Sequence, residues 1–286
     1  MKTYDLIVIG GGRASNLAVA VAAAGESVAL IERDKLGGSC PNRGCVPSKL
    51  LIGFAEVARK VQEASEHFID AEIKSMDVAS MIRDTNDWSA LVDARYESRH
   101  PETLDLYRGH GAFVSDHVVQ VNGEQLTAPN IVIATGSRPR PGPFQDLPIW
   151  TSDDLFPLKG EVPKSITIVG GGFIAVELAY FFDAVGVETT VMVINDRLLP
   201  AEDDDIAAIF KEQFVRNVDT RFNTSIESAS YDDHQFTLKL NTGETHTTEA
   251  LLYAIGRQLN IDTIGLENTT IAVSYTHLTL PTICSV

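Results

Sequence analysis

The stretch "GGSCPNRGCVPSK", Gly37 to Lys49, carries two of the chain's three cysteines, Cys40 and Cys45, among glycines and just before a Pro-Ser-Lys. Two thiols this close suit either a metal or a two-electron redox exchange. A structural zinc site needs a further His/Cys set, and a disulfide framework for a secreted domain needs more cysteines than these two and the distant Cys284. A redox or catalytic pair is the better reading. With Cys40 in a loop and Cys45 at or just inside the helix spelled by "VPSKLLIGFAEVARKVQEA", the pair can close a small disulfide across one turn. The helix start then favours a thiolate, and Gly37, Gly38 and Gly44 permit the irregular backbone such a ring requires.

What positions these thiols is legible on either side of them. "YDLIVIG" is a short apolar strand ending in glycines, "NLAVAVAAAG" a small-residue helix closed by Gly25, and "SVALIER" a second strand. The order is a βαβ unit whose turn reads Gly10-Gly11-Gly12-Arg13-Ala14-Ser15. Gly10 allows the tight turn, and Gly12 lets a diphosphate approach the N–H groups at the helix start. Ser15 stands where a third glycine is expected, and Glu32 closes the second strand where a carboxylate accepts from ribose hydroxyls. The pattern returns in "SITIVGGGFIAVELAYFFDAVGVETTVMVI", with Gly170-Gly171-Gly172 in the turn and Ala175 for the third glycine. Its second strand runs into Asn195, Asp196 and Arg197, neither the acid that favours NAD nor the basic cluster that favours NADP, so cofactor choice stays open. Two such units suggest two dinucleotides. A flavin packed against one sulfur would pass two electrons to the thiol pair.

Between the units lie a predominantly polar helical stretch, roughly 53–99, and a hairpin around Asn122-Gly123. "NIVIATGSRPRPGP" is a strand entering a Pro/Gly-rich connection, taken as the first domain boundary. A second hairpin, "FTLKLNTGETHTTE", precedes "LLYAIGRQLN", which echoes "IVIATGSRP" and marks the exit from the inserted domain. The expected organisation is a first dinucleotide-binding domain over 1–148, a second over 149–256, and a return to the first over 257–272. The fold class is α/β, with two Rossmann-like dinucleotide-binding domains. A formal charge of −16, with 39 acids against 23 Lys and Arg, argues against a nucleic-acid partner. No apolar run is long enough to span a bilayer, and the N-terminus shows no secretory signal, so cytoplasm is the default. The "EDDD" run, 202–205, reads as a solvated helix start, and His67, His100, His110, His117, His234 and His246 form no metal or triad pattern.

Taken together, the cysteine motif, both Gly-rich turns, "ATGSRP" and "AIGRQLN" resemble the class I pyridine nucleotide-disulfide oxidoreductases, the flavoprotein family of dihydrolipoamide dehydrogenase, glutathione reductase, mercuric reductase and mycothione reductase. The resemblance covers Met1 to about Ala272. It implies FAD and NAD or NADP as cofactors and a small disulfide or dithiol as substrate. Cys45 is then the flavin-proximal thiol and Cys40 the interchange thiol. Lys49 lies near the flavin with Glu177 as its carboxylate partner, an arrangement that compensates a buried ammonium. Gly10, Gly12, Ser15, Glu32, Gly38, Ser39, Thr135 and Gly136 belong to the FAD side; Gly170, Gly172, Phe173, Ile174, Gly256 and Arg257 belong to the nucleotide site, Phe173 covering the nicotinamide face of the flavin. The dihydrolipoyl dehydrogenase-like branch is expected, with mycothione or glutathione reductase, or a non-catalytic nucleotide-binding fragment, as alternatives.

Family members continue with a second FAD-contacting segment and a dimerisation domain that supplies a His-Glu acid/base pair across a homodimer. Here "VSYTHLTLPTICSV", 273–286, follows instead and reads as an adaptor-derived tail, with His277 and Cys284 given no role. The expectation is therefore a chain lacking the dimerisation domain.

Overall fold

The computed structural model describes residues 1–156, 158 and 161–271. The tail at 273–286 lies outside the described residues. The chain divides into two compact units: one formed by 1–38, 92–138 and the segment from 259 onward, the other by 39–91 and 139–258.

The first unit is built on a parallel sheet in the order Leu104–Arg108, Val28–Glu32, Leu6–Ile9, Asn130–Ile133. Its two central strands, Leu6–Ile9 and Val28–Glu32, are apolar on both faces, as a parallel sheet covered on each side requires. Leu6, Val8, Val28 and Leu30 face the helix Ser15–Ala23, meeting Ala18 and Ala22. Ile7, Ile9, Ala29 and Ile31 face the other way, against Phe113, Val119, Val121 and Leu126. Those four lie in an antiparallel meander, Ala112–Ser115, Val118–Val121 and Glu124–Thr127. The strand period of two thus assigns successive residues to two separate cores. The meander contains the expected hairpin at Asn122-Gly123, both with positive φ, as a two-residue type I′ turn demands.

The second unit repeats this three-layer plan. Its parallel sheet runs Trp150–Thr151, Ala250–Tyr253, Ser165–Val169, Glu188–Val193, Asp219–Phe222. Ile166, Ile168, Val191 and Leu252 pack on one side with the helices Cys45–Gln62 and Phe173–Ala184. Met192, Leu251 and Tyr253 pack on the other against Phe236, Leu238 and Leu240. The latter belong to a second meander, Ile226–Asp232, Gln235–Leu240, Thr245–Thr248, which includes the second expected hairpin. Leu51, Ala55 and Ala58 fall at i, i+4 and i+7 on the long helix and give it its buried face.

Two local expectations change. Cys40 lies in a short helix, Ser39–Arg43, rather than a loop, and Cys45 is the first residue of the helix that follows. The polar stretch 53–99 is not one helical run: the long helix ends at Gln62, a 3-10 turn spans Ala64–His67, and Phe68 takes a left-handed conformation that stops it. Helix resumes at Val78, where the Asp77 carboxylate accepts from the Ser80 N–H, an N-cap inside a stretch whose average polarity hid the break. The "EDDD" run does open a helix, Asp204–Phe214, with Asp203 at its cap.

Candidate functional site

Both Gly-rich turns are constructed alike. The Gly10 N–H donates to Ile31 O at 2.8 Å, and the Gly170 N–H to Met192 O at 2.9 Å. Ala134 N–H donates to Ile9 O, and Ala254 N–H to Val169 O, each at 2.8 Å. Gly10 and Gly170 have φ of +116° and +138°, and a methyl added to either would sit 2.1 or 2.3 Å from the carbonyl oxygen of Ala134 or Ala254. Both the left-handed backbone and the close approach therefore require glycine.

Behind the first turn, Glu32 Oε2 accepts the Gly11 N–H at 2.7 Å and Oε1 accepts the Asp34 N–H at 2.7 Å. Ser15 is buried, its hydroxyl donating to Gly12 O at 2.7 Å, so the residue in the third-glycine position closes the turn on itself. Gly12 and Gly38 pack backbone to backbone: a methyl on Gly38 would lie 2.8 Å from Gly12 Cα. Thr135 and Gly136 are held by Asn260, which donates its side-chain N–H to Thr135 O at 2.9 Å and its backbone N–H to Gly136 O at 3.0 Å. Arg138 joins the same clamp through Asp262 at 2.6 Å.

In the second unit, Cys40 and Cys45 are both exposed. Ser39 precedes Cys40 on the short helix, and a methyl on Gly44 would meet Ser39 O at 3.0 Å. One turn into the long helix, Lys49 Nζ donates to Glu177 Oε1 at 2.6 Å. Glu177 lies one turn into the helix that leaves the second Gly-rich turn, so the pair links the cysteine segment to that helix across 128 residues of sequence. Ser48 donates to the other oxygen, Glu177 Oε2, at 3.1 Å. Phe173 opens that helix and is 65% exposed, while Ile174 packs on the core. Gly172 caps it with nothing within 4 Å of an added methyl, leaving the helix start open to an approaching anion. Gly256 O accepts from Arg140 N–H at 2.9 Å, and Arg257 lies 3.9 Å from Asp153, whose other oxygen is 3.7 Å from Arg43.

A family model described as pyridine nucleotide-disulphide oxidoreductase matches residues 4–277. The chain belongs to this family. Its members are flavin-dependent enzymes that use FAD and NAD(P)H. The dihydrolipoyl dehydrogenase of Bacillus subtilis is 33% identical over 298 residues, covering 94% of this chain and 61% of that protein. The mycothione reductase of Mycobacterium tuberculosis is 34% identical over 283 residues, covering 93% and 60%. Among solved structures, the Cu(II) complex of the HOCl-induced flavoprotein disulfide reductase RclA from Escherichia coli aligns with a TM-score of 0.84 at 29% identity, over 96% of this chain and 61% of that one. The chain thus spans about three fifths of the length of these relatives.

The first turn fits the flavin dinucleotide of the pyridine nucleotide-disulfide oxidoreductases. Gly12 and Gly38 approach each other this closely only because neither carries a side chain, and the helix after the turn has no acid in its first turn to repel a diphosphate. Glu32 is fixed by its two N–H donors, and each of its oxygens keeps a lone pair for a ribose hydroxyl.

Sequence reasoning missed three supports. Ser48 was passed over within "VPSK", although Glu177 takes one oxygen's hydrogen bond from it. The buried Ser89 donates to Asn42 O at 2.9 Å, tying the helix Val78–Ala90 to the backbone between the cysteines. Asn260 and Asp262 carry no motif beyond the closing "QLN". No helix among the described residues is long and apolar enough to cross a membrane, and no group of three or more His, Cys, Asp or Glu among them is placed to hold a metal ion.

Proposed function

We propose that the chain carries the nucleotide-binding and thiol machinery of a dihydrolipoyl dehydrogenase-like oxidoreductase that moves two electrons between NAD(P)H and a small disulfide or dithiol. The observation that carries this reading is the Lys49–Glu177 pair, 2.6 Å long, which fixes a lysine four residues after Cys45 against the helix of the second Gly-rich turn. Bound FAD supplies a two-electron relay between a hydride donor and thiols. Gly10, Gly12, Gly38 and Glu32 hold its diphosphate and ribose, with Thr135 and Gly136 beside them. Gly170 and Gly172 hold the NAD(P)H diphosphate.

The rest is thiol chemistry. With both cysteines reduced, the Cys40 thiolate attacks one sulfur of the substrate disulfide, forming a Cys40–substrate bond and expelling the other half as a thiolate that takes up a proton. The Cys45 thiolate then attacks the Cys40 sulfur, forming the Cys40–Cys45 disulfide and releasing the second substrate thiol. The reverse sequence oxidises a dithiol. Lys49, one helical turn after Cys45, supplies a positive charge to the cysteine segment, and Glu177 and Ser48 hold it in place. The relatives named dihydrolipoyl dehydrogenase and mycothione reductase match at nearly equal identity, so mycothione- or glutathione-type disulfides are the alternative substrates. A homodimer and a cytoplasmic location belong to the same reading.

The test is to saturate the purified chain with FAD and titrate it without oxygen, first with NADH and then with NADPH, while recording the visible spectrum. A yellow protein that develops a long-wavelength band, lost in Cys45→Ser, supports the reading. A folded chain that takes up no flavin, or one whose spectrum ignores the cysteine, overturns it. Lys49→Met should slow flavin reduction by about tenfold or more and leave stability nearly unchanged, since the lysine side chain is more than half exposed rather than buried as expected.

A further inference from the structure

The two turns diverge at one corner. A methyl on Gly11 would meet Glu32 Cβ at 3.0 Å, and a methyl on Gly171 would meet Val193 Cγ1 at 2.9 Å. Ile31 pairs with Ile9, and Met192 with Val169, so the next residue of each strand, Glu32 and Val193, holds the same position. This is where a carboxylate selects NAD by bonding the ribose 2′-hydroxyl and repelling a 2′-phosphate. In the second unit it is a buried valine, followed by Ile194 at 71% exposure.

Arg197 reaches that corner with its backbone, whose oxygen would lie 3.1 Å from a methyl on Gly171. Its guanidinium bonds Asp204 and the Glu202 carbonyl, while its Nε–H is buried without an acceptor. Asp204 is 93% exposed, so the pair is solvated and readily exchanged. A phosphate, with more charge and three acceptor oxygens, competes well for such an arginine. The second cation nearby, Lys211, is occupied by the Asp196 carbonyl and the Phe222 ring. Four acids, 202–205, follow the arginine closely in sequence and temper its pull on an anion.

We propose that the second unit accepts both NADH and NADPH, with the balance set by Val193 and by competition between Asp204 and a 2′-phosphate for Arg197. This rests on the second turn being the nicotinamide-nucleotide site. The experiment is calorimetric binding of ADP-ribose and 2′-phospho-ADP-ribose to the whole chain, which requires neither flavin nor turnover. The two ligands should bind within about tenfold of each other, since neither a fixed carboxylate nor a free arginine discriminates. Asp204→Asn, at an exposed position, should tighten the 2′-phospho ligand by about tenfold and leave ADP-ribose unchanged. Val193→Glu should weaken the 2′-phospho ligand by about a hundredfold or more.

A preference beyond about a hundredfold in the unmodified chain, or an Asp204→Asn variant that treats both ligands as before, overturns the proposal while leaving the nucleotide site standing. Binding of neither ligand removes the site itself and the proposal with it.

Discussion

The two Gly-rich turns share a backbone and differ in the side chain that ends the second strand. Both close on the same pattern of hydrogen bonds, and in both a further N–H comes back to the middle glycine: Gly37 to Gly11 O at 2.8 Å, Leu199 to Gly171 O at 2.7 Å. The first adds a carboxylate that locks onto the Gly11 N–H; the second places Val193 there. On the proposed reading the backbone of the turn is a general anion cradle set by glycine and strand register, and ligand identity is written afterwards, by whichever side chain ends the second strand.

If the backbones are equivalent, the same lesion should injure both, and this is the largest effect expected. Gly10→Ala and Gly170→Ala each combine a left-handed φ with a collision against the carbonyl one residue past a sheet strand. Each should lower stability by about 3 kcal/mol or more, read by urea denaturation followed by circular dichroism. Losses that differ by more than about 2 kcal/mol would show that one turn is held more loosely than its hydrogen bonds imply.

That equivalence was legible in the sequence because it rests on glycines followed by a small-residue helix, a pattern that neighbouring residues determine. The alternating apolar strands were legible for the same reason, and so were the hairpins at Asn122-Gly123 and Gly243. What escaped was long-range. Nothing local in "VPSK" says that Ser48 reaches Glu177, or that Ser89 reaches the Asn42 carbonyl, because those bonds depend on how helices distant in sequence pack. The break between Gln62 and Val78 was hidden because polar helix and polar connection have similar composition, and only the Asp77 cap marks where helix resumes. The match of Val193 to Glu32 needed the strand register; counting along the chain had pointed instead to Asn195 and Asp196.

Glu32 provides the next sharpest contrast. Removing its carboxylate in Glu32→Ala strands the N–H groups of Gly11 and Asp34, which should lower stability by about 2 kcal/mol. Glu32→Gln, still able to accept through one oxygen, should lose about half as much. Val193→Ala in the other unit has no such bonds to break and should act only through a small core cavity. If Glu32→Ala falls no further than Val193→Ala, the carboxylate is not what distinguishes the turns.

The units also carry matching pH liabilities. Burial lowers the pKa of His246 in the second unit, with Arg221 acting in the same direction and Asp219 and Glu188 opposing them; burial likewise lowers His100 in the first, with Glu97 opposing. A histidine whose folded pKa lies below its unfolded value of about 6.5 keeps its full contribution above that pH and loses it as pH falls through 6.5 and then through the folded pKa. Stability should therefore decline on the acid side, with a slope of at most about 1.4 kcal/mol per pH unit for each histidine. His246→Gln preserves a group able to bond the Thr167 hydroxyl, which the imidazole contacts at 2.9 Å, and should flatten that decline. An unchanged slope would place the acid sensitivity in the first unit, at His100.

The smallest effect separates backbone from packing. Gly123 and Gly243 sit in the hairpins of the two meanders with φ of +83° and +85°, and neither has an atom within 4 Å of an added methyl. Alanine at either position meets only the conformational penalty of left-handed backbone, about 1 kcal/mol. The same substitution at Gly10 or Gly170 adds a collision to that penalty. Denaturation midpoints of the four variants therefore isolate the collision: the hairpin pair should cluster near the parent and the turn pair far below it. Hairpin variants that lose as much as the turn variants would mean that φ alone governs all four sites, and that the close approach of Ala134 and Ala254 to the turns contributes nothing.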